Sequence, residues 1–353
     1  MLLNQLEIIQ FKNHAHTKFE FSKPINFFIG QNGIGKTNIL DAIYFLSVFR
    51  SHIQHLDSQL ILHGEPFFRL KGNFQSKFSS DYEVVVKYAY RSKSIEINRL
   101  KIAKYSEYFG HIPLVISNPS DIFLLYEGSE ERRKLIDYTI SIQNKKYLLK
   151  LNLYQQYLEQ RNAHLKNEDN IDINLLNHYN AHLSELGHYI FDIRLIFAEE
   201  FNPLISKWYE IIANKDEEIS IEYSSHLKEN NLADLLQKNL EKDKILKRTT
   251  KGIHRDDLKI EMNNIDIKKI ASQGQQKSLL YAIRLAQAEW ISMKMNQKII
   301  FLLDDFSDKL DGMRKQMLLK SIQEIDFIEQ WFITDTSDNH LEENENTAIY
   351  RLA

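Results

Sequence analysis

The stretch that decides the fold is Gly30–Thr37, which reads GQNGIGKT and matches the phosphate-binding loop G-x-x-x-x-G-K-[ST] at every fixed position. A short apolar run at 25–29 predicts a strand buried on both faces just before it. Apolar residues at three- and four-residue steps over 38–50 predict a helix just after it. Because the loop lies between a strand and a helix, its N–H groups and the helix N-terminus can cradle phosphates. The motif therefore predicts a nucleotide site in which Lys36 contacts the β- and γ-phosphates and the Thr37 hydroxyl ligates Mg²⁺.

A second candidate part of the site is Lys298–Asp305, which reads KIIFLLDD and predicts a buried strand ending in two carboxylates. An enzyme that hydrolyses a nucleotide needs one carboxylate to hold Mg²⁺ and its waters, and it can use another to orient the attacking water. We assign Asp304 to the metal and Asp305 to the water, so the predicted catalytic residues are these two and Lys36. A strand ending in a polar turn would look the same in isolation, but the combination with the phosphate-binding loop favours a catalytic site.

The composition of the chain limits the classes of protein to which it can belong. The chain has 353 residues, of which 43% are hydrophobic and 26% charged, so we expect a soluble protein with two domains. Cysteine is absent, which excludes disulfides, thiolate metal sites and a cysteine nucleophile. We see neither a signal peptide nor an apolar run of about 18 residues, and we expect a cytoplasmic protein without a membrane segment. The net charge is −3, so any surface for nucleic acid must be a local concentration of basic residues.

The order of elements along the chain predicts an α/β lobe followed by a helical segment. Alternating apolar residues predict β-hairpins over 2–21 and 82–97. Beyond residue 121, helical periodicity with almost no glycine or proline takes over, in the stretches 130–142, 147–165 and 175–205. We divide the chain into an N-terminal part of the head, a helical arm or lid, and a C-terminal part of the head, with the bounds 1–116, 117–245 and 246–353.

A third motif is Ser272–Lys277, which reads SQGQQK and precedes a strongly amphipathic helix. Ser272 is a good N-cap and Gly274 permits close approach of a phosphate, so this helix start is a second anion-binding surface. One nucleotide does not need two such helix starts from the same subunit. The economical arrangement is a homodimer in which each nucleotide lies between the phosphate-binding loop of one subunit and the Ser272 loop of the other.

This combination resembles the ABC-type and SMC-like ATPase heads of DNA-maintenance proteins, and within them the family of bacterial recombination mediators. Further motifs that are similar to this family lie along nearly the whole chain, and their order is more specific than any one of them. These motifs are Phe11-Lys12-Asn13, Gly30–Asn38, Asn118–Asp121, Arg132-Arg133 with Asp137, Gln160–Ala163, His254–Leu258, Asp304-Asp305 and Leu310-Asp311.

The resemblance implies a fold class and a set of site residues. The fold is α/β, an ABC-type P-loop ATPase head with a mixed sheet, flanking helices and β-hairpins, and an inserted, mainly helical arm. The cofactors are ATP and Mg²⁺, with Thr37 and Asp304 as metal ligands. The implied ATP-binding residues are Asn13, Gly30, Asn32, Gly33, Gly35, Lys36, Thr37 and Asn38. The signature that acts in trans comprises Ser272, Gly274 and Gln275, and the D-loop residue is Asp311.

The resemblance also implies a function in DNA repair and replication. An ATP-induced homodimer binds gapped duplex or single-strand/double-strand junctions, and together with the partners RecO and RecR it promotes loading of the RecA recombinase. Weak, DNA-stimulated ATP hydrolysis then resets the dimer.

Some positions depart from the family pattern. Ile253 stands where proline is usual, and Asp308-Lys309 replaces the common Ser-Glu before the D-loop. Many ABC ATPases carry a switch histidine where this chain has Asp335-Thr336. The sequence leaves open whether Thr334 or Asp335 senses the γ-phosphate, and His340 lies too far along the chain to do so.

Rival classes of protein fit the sequence less well. A transporter ATPase subunit normally carries glutamate where Asp305 stands, and an SMC coiled-coil protein would place hundreds of residues between the two nucleotide motifs. A nuclease of the OLD type would need a further domain after Asp305. A DNA-bound scaffold that does not hydrolyse ATP stays an alternative, as does the ATPase subunit of another ABC-type complex.

Three basic clusters are candidates for contact with DNA. Each is more often a solvated helix face, so none is assigned as a site, and Arg161 in the arm is open to pairing with a carboxylate instead. The clusters are Arg132-Arg133-Lys134, then Lys145, Lys146 and Lys150, and finally Lys244, Lys247, Arg248 and Lys251.

Overall fold

The computed structural model of the protein describes residues 1–75, 81–167, 171–213, 217–306, 312–337, 341 and 343–352. Over these residues the chain forms two compact units. The first comprises Met1–Asp121 and Lys277–Ala353, and the second comprises Ile122–Gln276.

The strands and helices follow one another along the chain in three stretches. Up to residue 121 they are β1 (Leu2–Phe11), β2 (His14–Glu20), β3 (Ile25–Ile29), α1 (Lys36–Val48), β4 (Phe67–Gln75), β5 (Tyr82–Ala89), β6 (Ser92–Ile97), β7 (Leu100–Lys101) and β8 (Leu114–Ser117). From there to residue 270 they are α2 (Phe123–Tyr126), α3 (Ser129–Ser141), α4 (Lys145–Leu165), α5 (Ile173–Ala213), β9 (Ile219–Ser224), α6 (Leu232–Lys238), α7 (Leu240–Leu246), β10 (Asp257–Met262), β11 (Ile265–Asp266) and α8 (Ile267–Ile270). The last are α9 (Gln273–Met295), β12 (Ile299–Leu303), α10 (Gly312–Glu324), β13 (Ile328–Asp335) and β14 (Thr347–Arg351).

A five-stranded parallel sheet in the order β14-β3-β13-β12-β8 forms the centre of the first unit. Every residue of β3 and β12 is buried, as the continuous apolar runs predict for strands covered on both faces. Because β3, β13 and β12 are parallel neighbours, their carboxyl ends meet at one edge of the sheet. That edge therefore brings together the loop after β3, the carboxylates after β12 and the end of β13.

A six-stranded antiparallel sheet in the order β2-β1-β4-β5-β6-β7 completes this unit, and it contains both predicted hairpins. One side chain ties the two sheets together. The Gln330 amide of β13 accepts a hydrogen bond from Leu3 N at 2.7 Å and donates one to Leu3 O at 3.1 Å, as a neighbouring backbone would. Since Gln330 is 1% exposed, pairing both ends of its amide avoids the cost of a buried unsatisfied polar group.

The second unit is mainly helical, and the predicted long helices are confirmed as α3, α4 and α5. Tyr147 near the start of α4 contacts Arg194 in the middle of α5, whereas Arg161 late in α4 contacts Asn180 early in α5, so the two helices are antiparallel. A three-stranded sheet, β11-β10-β9, accompanies them.

The unit boundaries differ from the predicted division. We placed 246–276 with the head, but β10 pairs antiparallel with β9 over six residues, from Asp257↔Ser224 to Met262↔Ile219. This long-range pairing makes 246–276 part of the second unit, which runs from Ile122 to Gln276.

Candidate nucleotide-binding site

The phosphate-binding loop has a backbone that only glycine adopts without strain at two positions. Gly33 and Gly35 have φ angles of 85° and 110°, in the left-handed region. A Cβ on Gly35 would lie 2.6 Å from the Asn13 side chain, so space as well as backbone requires glycine there. Gly35 is also the N-cap of α1, and the loop thus leads directly into a helix N-terminus, which is the arrangement that binds phosphate.

Two asparagines predicted to bind ATP brace this loop from the side. Asn13 Nδ2 donates to Ile34 O at 2.9 Å, and Asn38 Nδ2 donates to Asn13 Oδ1 at 2.7 Å. His14 joins them, with Nε2 lying 3.1 Å from Gly35 O. Burial lowers the pKa of His14, and Lys12 lowers it further against the opposing effect of the Gly35 contact, so the neutral ring donates from Nε2. Sequence reasoning missed His14, because it lies one residue beyond the Phe11-Lys12-Asn13 motif and its approach to the loop after β3 is a long-range contact.

The ammonium of Lys36 lies against the start of its own loop. Its Nζ donates to Gly30 O at 2.7 Å and to Gln31 O at 2.9 Å, and the residue is 8% exposed. The exposed tip of the loop is Asn32 and Gly33. A cation is therefore held at the base of the cradle that the glycines form.

Behind the loop, Lys12 of the Phe11-Lys12-Asn13 motif forms an ion pair with Asp41 of α1 at 2.5 Å, and His52 Nδ1 lies 2.7 Å from the same carboxylate. Burial alone would raise the pKa of Asp41, but the contacts with His52 and Lys12 outweigh it and bring that pKa to about 2. The negative charge of Asp41 therefore persists and anchors α1 to the turn between β1 and β2 that carries Asn13.

The carboxylate predicted to hold the metal lies next to the loop threonine. Thr37 Oγ1 is 2.9 Å from Asp304 Oδ1 and 3.0 Å from Oδ2, and Asp304 is 5% exposed. Mg²⁺ in nucleotide sites is typically held by one or two protein oxygens, with phosphates and water completing its shell. A hydroxyl and a carboxylate beside a phosphate cradle fit that ion. Within the described residues there is no group of three or more His, Cys, Asp or Glu side chains that would form a separate metal cage.

The hydroxyl of Thr334 connects the Asp304 carboxylate to the backbone of Asp305. Thr334 Oγ1 donates to Asp304 Oδ1 at 2.6 Å and accepts from Asp305 N at 2.8 Å. Asp305 has a φ of 59°, a left-handed conformation that costs about 1 kcal/mol or more for a non-glycine residue. The bond from its N–H to Thr334 holds Asp305 in that conformation. Asp335 is turned elsewhere, with Oδ1 accepting from Thr336 N at 2.7 Å and Oδ2 lying 3.9 Å from Lys315 Nζ.

The signature residues begin α9 in the second unit. Ser272 Oγ accepts from Gln275 N at 3.3 Å, and Gln275 Oε1 accepts from Ser272 N at 2.7 Å, which together form a capping box. Gln275 Nε2 also donates to Glu217 Oε1 at 2.8 Å, and Tyr209 donates to the other oxygen of Glu217. The predicted N-cap at Ser272 is confirmed. Gly274 is the second residue of the helix, whereas the predicted D-loop residue Asp311 lies outside the described residues, as do Asp308, Lys309 and His340.

Several motifs that carry the family resemblance form a buried polar network in the second unit. Arg194, which is 1% exposed, pairs with Asp137 at 2.9 Å and with Asp256 at 3.1 Å. Arg132 donates to both oxygens of Asp257 at 2.7 and 3.0 Å. These aspartates therefore hold strand β10 against the helices.

The histidine of the same motif is also internal. His254 Nε2 lies 3.1 Å from Thr249 O, and its Nδ1 lies 3.0 Å from the Tyr154 hydroxyl. Burial, together with neighbouring arginines, lowers the pKa of His254 to about 4. The ring is therefore neutral, donating from Nε2 and accepting at Nδ1.

Among the helices of the described residues, none combines the length and the apolar character that a membrane span requires.

The fold and the site define the class of protein. The family described as "RecF/RecN/SMC N terminal domain" matches residues 2–109. A solved structure described as "Crystal structure of the SmcHead bound to the C-winged helix domain of ScpA" matches with a TM-score of 0.60 at 15% identity, covering 95% of this chain and 90% of that chain, and it supports the fold alone. The chain has the α/β fold of SMC-like and ABC-type P-loop ATPase heads, and the predicted fold class is confirmed.

Two further comparisons narrow this class. The "DNA replication and repair protein RecF" of Flavobacterium johnsoniae is 41% identical over 97% of this chain and 96% of its own length. A structure described as "Structure of the recombination mediator protein RecF-ATPrS in RecFOR pathway" matches with a TM-score of 0.90 at 30% identity, covering 100% of this chain and 96% of that chain. This chain belongs to the RecF family of DNA replication and repair proteins, which confirms the predicted resemblance.

Proposed function

We propose that this protein is an ATP-dependent DNA-binding protein of recombinational repair and replication. Its dimer forms around ATP, binds gapped or junction DNA in the cytoplasm, and acts with RecO and RecR to promote loading of RecA. The observation that carries the proposal is the meeting of Thr37, Asp304, Thr334 and Asp305 at the sheet edge where the phosphate-binding loop begins. The relative whose solved structure is described with ATPrS and within the RecFOR pathway supports the same assignment.

Each residue has a distinct task in this proposal. The loop from Gly30 to Asn38 binds the triphosphate, with Lys36 leaving its loop carbonyls to contact the β- and γ-phosphates. Thr37 and Asp304 would hold Mg²⁺, which when bound neutralises charge on the phosphate oxygens. Asp305 orients the attacking water, and its backbone conformation, held by Thr334, sets where that carboxylate points.

The second subunit supplies the start of α9. Its Ser272, with the N–H groups of the first helical turn, faces the γ-phosphate bound by its mate, and Asp311 contributes to the same interface. Hydrolysis removes the γ-phosphate that both subunits share. The dimer then opens, so that slow, DNA-stimulated turnover limits how long the protein stays on DNA.

The test is the mass of the protein in solution with ATP and Mg²⁺, with ADP, and without nucleotide, each with and without a short gapped duplex. We expect a dimer only with ATP, and tighter binding to the gapped duplex in that state. A monomer under every condition would contradict the proposal. Phosphate release measured in the same samples separates an enzyme from a scaffold that binds ATP without hydrolysing it, because only the enzyme releases phosphate faster when DNA is added.

A further inference from the structure

A loop of the second unit, residues 247–255, carries four cations and no carboxylate. It reads KRTTKGIHR and connects α7 to β10; we refer to it as the basic loop. Arg248 and Arg255 are exposed and Lys251 is half-buried at its surface. Since the whole chain has a net charge of −3, this local excess of positive charge is opposite to the balance of the protein.

Other cations of this unit that stand out in the sequence have partners of their own. Arg132 pairs with Asp257, and Lys134 with Glu130 and Glu131. Lys146 and Lys150 lie over the ring of Tyr189, at 5.2 and 5.1 Å from its centre. In the first two basic clusters named in the sequence analysis, these cations are therefore engaged by other residues of the fold.

Three cations of the basic loop, Arg248, Lys251 and Arg255, differ in this respect. Across the residues that the structure describes, no carboxylate forms an ion pair with Arg248, Lys251 or Arg255; Arg255 makes only a 3.5 Å bond to Thr249 O. Lys251 and Arg255 are also close enough to His226 that, after burial, their charges lower its pKa. Several like charges are therefore gathered where their mutual repulsion is not relieved within the described chain.

Hydrogen bonds to neighbouring side chains fix the backbone of the basic loop. Asp243 Oδ1 accepts from Thr250 N at 2.9 Å and from its Oγ1 at 2.6 Å, and Asn162 Oδ1 accepts from Thr249 N at 2.7 Å and from its Oγ1 at 2.8 Å. Arg161 donates to both Asp243 and Thr249 at 2.8 Å, and the side chains of Arg161 and Asp243 are 0% exposed. Arg161, which the sequence left open to pairing with a carboxylate, pairs with Asp243, and this pair fixes the loop rather than a ligand.

A glycine at position 252 is also required by the conformation of the basic loop. Gly252 has a φ of 131°, and a Cβ there would lie 2.5 Å from the Tyr154 hydroxyl. The loop is therefore ordered when the protein folds, so little conformational entropy is left to lose when its cations meet an anion.

We propose that the basic loop binds phosphates of the DNA backbone through Arg248, Lys251 and Arg255. This inference rests on the proposed function, since it assigns the surface by which the same protein holds DNA. Clustered cations on a rigid loop bind a polyanion mainly by releasing its counterions, without reading base sequence. Such contacts suit a protein that recognises a gap or junction by its structure. An acidic protein segment is the other polyanion to distinguish in the test.

The test compares two triple variants with equal changes in net charge. The first is Arg248→Gln, Lys251→Gln and Arg255→Gln. The matched control is Lys134→Gln, Lys228→Gln and Lys259→Gln, which removes three exposed lysines of the same unit that are each paired with a carboxylate. Affinity for a fluorescent gapped duplex is measured with ATP and Mg²⁺ at several salt concentrations, and the ATP-dependent mass of each protein is recorded alongside.

We expect the basic-loop variant to bind DNA at least about tenfold more weakly and its salt dependence to be shallower by about 0.9 in log–log slope for each phosphate that the loop no longer neutralises. The control variant keeps the wild-type slope, and both keep the ATP-dependent mass. If the basic-loop variant retains the wild-type slope, or if both variants lose affinity equally, the inference is overturned and the proposed function stands. If the wild-type protein itself fails to bind DNA with ATP, both are overturned. Loss of binding to a fluorescent polyglutamate peptide with DNA binding intact would instead assign the loop to an acidic protein segment.

Discussion

At the residue scale, one hydroxyl bonds both the Asp304 carboxylate and the backbone N–H of Asp305. Thr334 Oγ1 uses its only proton on Asp304 and accepts the N–H of Asp305, so it has no further donor for a phosphate. Thr334 immediately precedes the position where many ABC ATPases carry a switch histidine, and its hydroxyl faces Asp304 and the backbone of Asp305. We therefore interpret Thr334 as a positioning residue and not as the sensor of the γ-phosphate, and the choice between Thr334 and Asp335 stays a prediction.

Replacing Thr334 by valine tests this interpretation. Thr334→Val keeps the shape of the side chain but leaves Asp305 N without its acceptor, which costs about 1–3 kcal/mol for a buried group. By analogy with groups that orient metal ligands, we expect ATP hydrolysis to fall about 10- to 100-fold. ATP binding is expected to stay within a few-fold of wild type. Thr334→Ser restores the hydroxyl and should recover most of the activity. Wild-type turnover in the valine variant would show that this hydroxyl does not position the carboxylates.

His254 gives the protein a pH-dependent stability. Its pKa of about 4 lies below its ordinary value of 6.5, so between these values the unfolded chain binds more protons than the folded one. The stabilising contribution of neutral His254 is thus complete above about pH 6.5, and it declines as the pH falls toward 4. The full shift corresponds to about 3 kcal/mol.

Urea unfolding at a series of pH values measures this effect. His254→Gln removes the titrating group and should make the free energy of unfolding less dependent on pH between 6.5 and 4 than in the wild type. The comparison uses the difference between the two proteins, because His14 and His226 also have lowered pKa values and act in the same direction. Parallel curves for the two proteins would contradict the assignment.

At the scale of elements, the start of α9 is fastened to its own unit by Glu217. Gln275 accepts a hydrogen bond from Ser272 N through its amide oxygen and donates one to Glu217 through its amide nitrogen. These two bonds fix the first turn of the helix. We infer that this ordering presents the N–H groups of the first turn to an anion without further rearrangement. The residues of the signature are therefore already ordered within a single subunit.

Glu217→Ala tests whether this bond orders the helix start. Loss of a hydrogen bond to a charged group costs about 1 kcal/mol or more, so the amides of the first turn should exchange with deuterium several-fold faster. ATP-dependent dimerisation should weaken by a similar factor. The control is Glu218→Ala, since Glu218 is exposed and its backbone, rather than its side chain, bonds to Asn263. Equal exchange rates in the two variants would show that Glu217 does not order the turn.

How far the sequence predicts these elements depends on the range of the interactions that form them. Continuous apolar runs identify β3 and β12, and a local glycine pattern identifies the phosphate-binding loop, because these signals lie within a few residues. The order of strands in the sheet is not local. Only the placement of β13 between β3 and β12 brings Thr334 to Asp304, and only the pairing of β10 with β9 moves 246–276 into the second unit.

Long-range packing also decides what the family motifs do. Arg132, Asp256 and His254 occur in motifs that resemble functional patterns, yet each is engaged inside the second unit. The sequence shows that these residues are polar and regularly spaced, but not that they are buried. The basic loop is the opposite case. The sequence favours an ordinary solvated surface there, and only the structure shows that, among the described residues, no carboxylate forms an ion pair with Arg248, Lys251 or Arg255.

At the scale of the whole molecule, the two motifs that are predicted to bind anions belong to different compact units of one chain. The phosphate-binding loop lies in the first unit and Ser272 in the second. We propose that the two motifs face each other across two copies of the protein, with Lys36 of one copy and Ser272 of the other on opposite sides of one ATP. The proposed dimer contains two such composite sites, and each needs the phosphate-binding loop of one subunit and the Ser272 loop of the other.

Mixing two inactive variants tests this claim most directly. Lys36→Ala spoils the loop side of a site, and Ser272→Arg blocks the opposing side with a bulky side chain. A dimer containing one of each has one site with both defects and one site with none. The measurement is the mass and the rate of phosphate release with ATP, Mg²⁺ and gapped duplex, for each folded variant alone and for their equal mixture. We predict that neither variant alone dimerises or hydrolyses ATP and that the mixture regains both activities; a mixture as inactive as its components would contradict a site shared between two subunits.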